Sequence, residues 1–266
     1  MGVKPIIPGL KGKRGPLVRR DILRIAGRAV PVVARTNPRA TRLIVRVHPT
    51  TGEVAVVAPS RHALERALDF ARDEVEWIAG RLAAIPQPVM LKPGDIVPYR
   101  GRDHVIRHDP EARRGVFLDS GPRKAFINVS GEGAHVPRRV KDWLRAEARR
   151  EVCEAVRGYS KALGVAPRRV TLRDPTTRWG SCSTNSVLSF SWRLILAPPY
   201  VLDYVAAHEV AHLIHMNHGP RFWTLVEQLV GDTERPRHWL RLEGAHMHRY
   251  GPADAVQGLG HRPKGH

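Results

Sequence analysis

Ala207-His208-Glu209-Val210-Ala211-His212 decides how the second half of this chain is read. Residues four apart on a helix share one face, so both imidazoles can reach a single ion, with a glutamate beside the first. Val205, Ala206, Val210, Leu213 and Ile214 make the surroundings apolar and bury the helix. Two unpartnered imidazoles would be costly there, and a shared metal ion removes that cost. Upstream, Pro198-Pro199 suits a first helical turn, where the missing proline N–H would be unpaired anyway. The spacing predicts a helix starting near Pro199 and running through His212, with His208 and His212 as metal ligands.

Zinc accepts neutral imidazole readily, and a catalytic zinc site keeps three protein ligands and a water. Glu209 is placed to act as general base on that water, whose pKa coordination lowers from about 16 toward 7. The third ligand lies downstream. His215 has the better helical phase, but it sits about 10 Å along the axis from His208 at about 1.5 Å per residue. His218 needs a helix break, and Asn217 with Gly219-Pro220 supplies one, since Asn and Gly end helices and Pro cannot continue them. The H-E-x-x-H-x5-H spacing is the one metzincins use, with His215 standing where they carry glycine. His218 is therefore the expected third ligand; Glu227 and Glu243 are the weaker options, and His215 is left near the site or on the surface.

The rest of the chain reads as α+β: a β-rich N-terminal half, then the domain carrying the H-E-x-x-H helix. Residues 1–28 hold eight basic residues against Asp21 alone and read as a basic extension. Residues 29–130 form a β-rich part with one helix. In it Leu43–Val47 and Val54–Val57 make a hairpin about Pro49–Gly52, and Ser60 opens a helix to about Leu82. Further strands are expected at Val97–Tyr99, His104–Arg107, Val116–Leu118 and Ala125–Val129. Residues 137–243 form the metal-binding domain: a helix with Val140, Leu144, Ala148 and Val152 four apart, a strand at Arg169–Leu172, and a strand from Val187 to Leu196. Residues 244–266, with His246, His248, His261 and His266, are expected to be a disordered tail.

Composition narrows the setting. A hydrophobic fraction of 42% suits a globular protein, and the two cysteines, Cys153 and Cys182, suit a reducing compartment. No apolar run is long enough for a bilayer and no signal peptide is visible, so a cytoplasmic protein with no membrane partner is expected. The formal charge of +19 attracts polyanions and makes a nucleotide or nucleic acid a possible partner of the basic surface, although arginine-rich codon bias would also produce it. Cys182 reads as an inert thiol, and Trp179, Trp192, Phe222 and Trp223 as core.

Arg178-Trp179-Gly180-Ser181-Cys182-Ser183, Trp192–Pro199, Asp203-Tyr204-Val205 and His208–Trp223 together resemble the YgjP-like (DUF45) zinc metallopeptidase family, itself similar to SprT- and WLM-type metallopeptidases. The His218-Gly219-Pro220-Arg221-Phe222 run is similar to the segment that supplies the third histidine in SprT-like proteins. The resemblance implies a zincin-like fold, a small sheet over the active-site helix with a second helix bringing the last ligand. It also implies a metallopeptidase with Zn2+, acting on a peptide or protein substrate. Such enzymes bind peptide along a sheet edge, and Val187–Leu196 is the candidate edge. Arg178 and Arg193 are candidates to hold an anionic group or an oxyanion, with a structural ion pair as the equal alternative for each. Two alternatives keep the zinc: a nucleoside triphosphate phosphohydrolase using those arginines, and a DNA-associated, SprT-like protease docked by the basic arm.

Overall fold

The computed structural model describes residues 18–48, 52–85, 87–121 and 124–252. The basic arm before Val18, the turn residues Pro49, Thr50 and Thr51, and the tail from Ala253 lie outside them. The architecture is mixed α+β, and the chain divides into two compact units at Ile85/Pro86. That boundary falls inside the β-rich part expected at residues 29–130.

The first unit is one sheet covered by two helices. Strands β1 (Val18–Ile25), β2 (Arg28–Thr36), β3 (Ile44–Val47) and β4 (Val54–Ala58) lie in the order β1-β2-β4-β3. β1 and β2 join through Ala26-Gly27, both at positive φ, which is the backbone a two-residue hairpin turn demands. β1 therefore takes up residues 18–25 of the stretch 1–28 that the charge pattern assigned to a basic extension; its alternate residues Leu23 and Ile25 are buried. The expected hairpin of β3 and β4 is present, with Ile44 opposite Val57 and Val47 opposite Val54. Helices α1 (Leu64–Asp73) and α2 (Val75–Ala83) replace the single helix expected, breaking at Glu74. They cover Leu23, Ile25, Val32, Ala34, Val54 and Val56. By the pleat's alternation, Arg20, Arg24, Arg35 and Arg46 point from the opposite face.

The second unit begins with β5 (Ile96–Tyr99), β6 (Arg102–His108), β7 (Val116–Ser120) and β8 (Ala125–Val129), in the order β5-β6-β8-β7. Helix α3 (Val136–Leu163) buries Val140, Leu144, Ala148, Val152 and Val156 along one stripe and ends at Gly164, whose left-handed backbone (φ 66°) closes it. A three-stranded sheet follows, β9 (Arg169–Arg173), β10 (Gly180–Cys182) and β11 (Val187–Ser191), in the order β10-β11-β9. β11 is thus the central strand and cannot be the edge expected of Val187–Leu196. It is also shorter: the Ser191 hydroxyl accepts the Arg193 N–H at 3.3 Å and starts a buried 3-10 turn over Trp192–Leu196.

Helix α4 (Pro199–Ala211) then runs through the core, packed on α3 and β10 and on two later helices, α5 (Pro220–Val230) and α6 (Glu234–Glu243). Residues 244–249, expected to be a disordered tail, form a 3-10 turn that buries Met247 and His248. The start of α4 is set by the β5–β6 turn. The Arg100 and Gly101 N–H groups donate to the carbonyls of Ile195 and Leu196 at 2.8 and 3.2 Å. Gly101 has φ +74°, and a Cβ there would lie 2.9 Å from Pro198 Cα. Gly101→Ala is expected to cost about 1–3 kcal/mol, measured by urea unfolding of the full chain; an unchanged midpoint would show that α4 does not depend on this turn.

Candidate metal centre

His208 and Glu209 lie in the last turn of α4, and His212 is the residue that ends it. The chain then turns sharply. The Gly219 N–H donates to the Asn217 carbonyl at 2.9 Å, and Pro220 opens α5 at its first position. That turn brings His218 back over the end of α4. The ring nitrogens of His208, His212 and His218 all lie within 4.8 Å of one another, with 3.1 Å between the Nε2 atoms of His208 and His218. Nitrogens held tetrahedrally at about 2.0–2.1 Å from one zinc sit about 3.3–3.4 Å apart, so the set is near the spacing a single ion requires. His215 takes part only through its backbone. Its carbonyl lies 3.0 Å from His212 Nδ1, a bond that needs Nδ1–H as donor and leaves Nε2 as the free donor atom for a metal.

Phe222 holds the rings in place. Its ring stacks on His212 at 4.5 Å and meets His208 and His218 edge to face at 4.9 and 4.8 Å. Read from sequence only as a core residue, Phe222 is fully buried and also forms the floor under all three imidazoles. Burial, reinforced by the neighbouring histidines, lowers the His208 pKa to about 3. Burial likewise pushes the Glu209 carboxyl up to about 8, opposed by Arg178. Glu209 is 5% exposed, and its Oε2 has no hydrogen-bond partner among the described residues. Three imidazoles whose nitrogens converge, beside a buried carboxyl with one oxygen unpartnered, form a donor set that a metal cation fits. The alternatives Glu227 and Glu243 are not part of the cluster.

Above the histidines opens a pocket of about 320 Å³ lined also by Arg178, Gly180, Ser181, Cys182 and Met216. A larger cleft of about 480 Å³ lies near the start of α4, by Pro198, Tyr200 and Trp239, away from the three histidines. Strand β10 forms one wall of the smaller pocket and is a true edge. The Ser191 N–H donates to Trp179 O and the Ser183 N–H to Val187 O, so by antiparallel alternation the N–H and C=O of Gly180 and Cys182 face away from β11. Gly180 is a glycine for a local reason: a Cβ there would lie 2.5 Å from Glu209 Oε1. Burial and the nearby Glu209 raise the Cys182 pKa, which keeps this thiol protonated and unreactive.

The two candidate arginines part company. Arg178 lines the pocket, but Arg193 is 2% exposed and fully engaged elsewhere. Its Nε and Nη2 donate to the two Asp174 carboxylate oxygens at 2.7 and 3.1 Å, and Nη1 donates to the Met247 and Tyr250 carbonyls at 2.9 and 2.5 Å. Arg193 therefore does not hold substrate; it clasps the loop before β10 to the C-terminal turn. Trp179 and His248 stack across the same junction at 5.1 Å.

The family model of the YgjP-like metallopeptidase domain matches residues 41–243, well over half of the chain. The chain belongs to the YgjP-like metallopeptidase family. The match takes in all three histidines, Glu209 and the β10 edge, and it ends just before the turn clasped by Arg193. A peptidase, hence a hydrolase, with a bound metal ion is what family membership supports. Among solved structures, the crystal structure of the metallopeptidase zymogen of Pyrococcus abyssi abylysin is 22% identical. It aligns over 35% of this chain and 95% of its own, at a TM-score of 0.31. At that score the likeness carries no structural inference. The comparison with curated proteins finds no match. No helix among the described residues is long and apolar enough to cross a membrane.

Two predictions follow from the packing around the site. Gly180→Ala is expected to displace the Glu209 carboxylate and cut peptidase turnover at least tenfold while the three histidines still bind metal. Turnover at the parent rate would show that Glu209 tolerates a side chain beneath it. The second concerns acid stability. Burial pushes the Asp174 carboxyl up, but hydrogen bonds and charge from Arg193, with His248 adding to them, leave it below the usual carboxylate range. A lowered folded-state value stabilises the fold above the ordinary carboxylate pKa of about 4 and is lost as pH falls through the lower folded value. Asp174→Asn is expected to lower the midpoint of urea unfolding at pH 7 and to make stability change less between pH 5 and 2; equal acid sensitivity in both proteins would rule out this pair.

Proposed function

We propose that this chain is a zinc metallopeptidase of zincin-like fold in which His208, His212 and His218 hold the metal and Glu209 is the general base. The observation that carries the reading is the buried, unpartnered Glu209 oxygen next to three imidazole nitrogens, at a pocket walled by a free sheet edge. Three imidazole nitrogens, with no fourth protein donor in the cluster among the described residues, make a set suited to zinc with an open position. When bound, zinc supplies a Lewis acid that polarises a carbonyl and makes water acidic near neutral pH.

The chain's own groups do the rest. The backbone N–H and C=O groups of Gly180 and Cys182 bind an extended peptide as an added strand and orient its scissile bond over the histidines. Glu209 takes the proton of the attacking water and passes it to the leaving amine, one carboxylate serving as base and then acid. Arg178, on the same wall, faces the charge that develops on the carbonyl oxygen. Phe222 keeps the inner sides of the His208 and His212 rings from bulk water, which strengthens those interactions.

A phosphohydrolase is the weaker reading, because Arg193 is committed to Asp174 and the C-terminal turn and leaves Arg178 as the arginine in the pocket. The test is metal analysis with activity on unfolded proteins and on nucleoside triphosphates, for the parent and for Glu209→Gln. About one zinc per chain, peptide cleavage by the parent, and a loss of at least a hundredfold in Glu209→Gln with zinc retained are expected. Full cleavage by Glu209→Gln would overturn the mechanism, and phosphate release without peptide cleavage would overturn the substrate class.

A further inference from the structure

The first unit carries its charge unevenly. Asp21 lies on the helix side of β1 and pairs with Arg72 of α1, and Glu65 of α1 pairs with Arg19. Asp69, Asp73, Glu74 and Glu76 also lie in the helical layer. The opposite face of the sheet is basic. Arg20 lies opposite Val33, Val33 opposite Ala55 and Ala55 opposite Arg46, so one row across the sheet has an exposed arginine at each end. The ends of that row are about 14 Å apart at about 4.8 Å per strand. Arg24 stands four residues along β1 from Arg20, and Arg35 one row away on β2. Among the described residues of this face the acidic one is Glu53, 3.9 Å from Arg35. Arg20, Arg24 and Arg46 have no ion-pair partner among the described residues.

Codon bias toward arginine accounts for arginines on both layers, and the helical one has Arg61, Arg66, Arg72 and Arg81. It does not account for the acids, which gather on the helical side, offset its arginines and leave the outer face with an uncompensated positive charge that calls for a ligand. We propose that the outer face of the β1-β2-β4-β3 sheet binds the phosphodiester backbone of nucleic acid. A β-strand of eight residues is about 27 Å long, and duplex DNA presents about one charge per 1.7 Å of axis along it. Arginines spread in two dimensions over a flat, rigid face match such a row of phosphates. No Phe, Tyr or Trp lies in β1, β2, β3 or β4 to stack on a base, so binding is independent of sequence. An anionic membrane is the poorer partner: interfacial binders use an amphipathic helix with Trp, Phe or Leu anchors, and this face offers only Val18 and Ile22 as exposed large apolar residues.

The experiment is fluorescence anisotropy of the full chain with labelled oligonucleotides, single- and double-stranded, across a salt series. Three proteins are compared: the parent, Arg20→Glu/Arg24→Glu/Arg46→Glu on the sheet face, and Arg61→Glu/Arg66→Glu/Arg81→Glu on the helical side. Both triple variants lower the net charge by the same amount. The sheet-face variant is expected to bind at least tenfold more weakly at 0.1 M salt than the helical-side variant. Its slope of log K against log salt should be shallower than the parent's by about 2–3, at about 0.9 per lost phosphate contact. Melting curves confirm that both variants are folded. Equal weakening in the two variants would overturn the proposal in favour of a diffuse charge effect. No binding by the parent, or binding to phosphatidylserine vesicles without binding to oligonucleotides, would also overturn it. Peptidase activity is not part of the readout, so failure here leaves the hydrolytic reading untouched.

Discussion

Helix α4 is buried on every side, and the rest of the second unit is arranged around that constraint. A helix with one exposed face could place histidines and a glutamate at its end in water, where they would be ordinary polar residues. Here Val201, Leu202, Val205, Ala206, Val210 and Ala211 fill the space against α3, α5, α6 and the small sheet. The polar groups of its last turn are therefore desolvated by the same packing that fixes them. His208 is held neutral and Glu209 is held without a partner for one reason, exclusion of water. A buried polar atom left unpaired costs about 1–3 kcal/mol, and such a cost is tolerated only where the surrounding core over-determines the geometry.

Several devices supply that rigidity. The β5–β6 turn fixes where α4 begins, through backbone bonds to Ile195 and Leu196 and the contact of Gly101 with Pro198. Phe222 fixes the far end by contacting three imidazoles at once. The Arg193 clasp fixes the approach to β10, because Asp174 lies in the loop that leads to Arg178 and Gly180. A buried guanidinium with a carboxylate and backbone carbonyls around it is geometrically exacting. The C-terminal turn is thus tied into the active-site wall, although it lies beyond the segment matched by the family model.

The sequence made some of this legible and hid the rest for identifiable reasons. Helix α4 and its two histidines could be read because proline punctuation and i, i+4 spacing are local signals. His218 could be read because Asn217, Gly219 and Pro220 announce a turn. The identity of the sheet edge could not, since strand order is a long-range property: Val187–Ser191 is more apolar than Gly180–Cys182, and that apolarity reflects its central place. The sequence leaves Arg193 open between a substrate residue and a structural ion pair because nothing nearby shows that its partners come from Asp174 on one side and residues 247–250 on the other. β1 was hidden under its arginines, whose alternation with Ile22, Leu23 and Ile25 is blurred by charges on both faces.

The unevenness of the charge carries a last consequence for how the +19 is understood. Net charge by itself speaks to solubility and to weak attraction of polyanions, not to a site. What distinguishes a site is that unlike charges have been sorted. In the first unit Glu65 and Asp69 of α1 and Asp21 of β1 pair with Arg19 and Arg72 on the side where helices meet the sheet, and this leaves Arg20, Arg24 and Arg46 on the outer face without an ion-pair partner among the described residues. The second unit sorts its charges differently, pairing Arg100 and Arg150 with Glu147 and Glu151 along α3. The sheet face proposed to bind a polyanion belongs to the first unit and the desolvated histidine and glutamate cluster to the second, so each can be probed by its own substitutions.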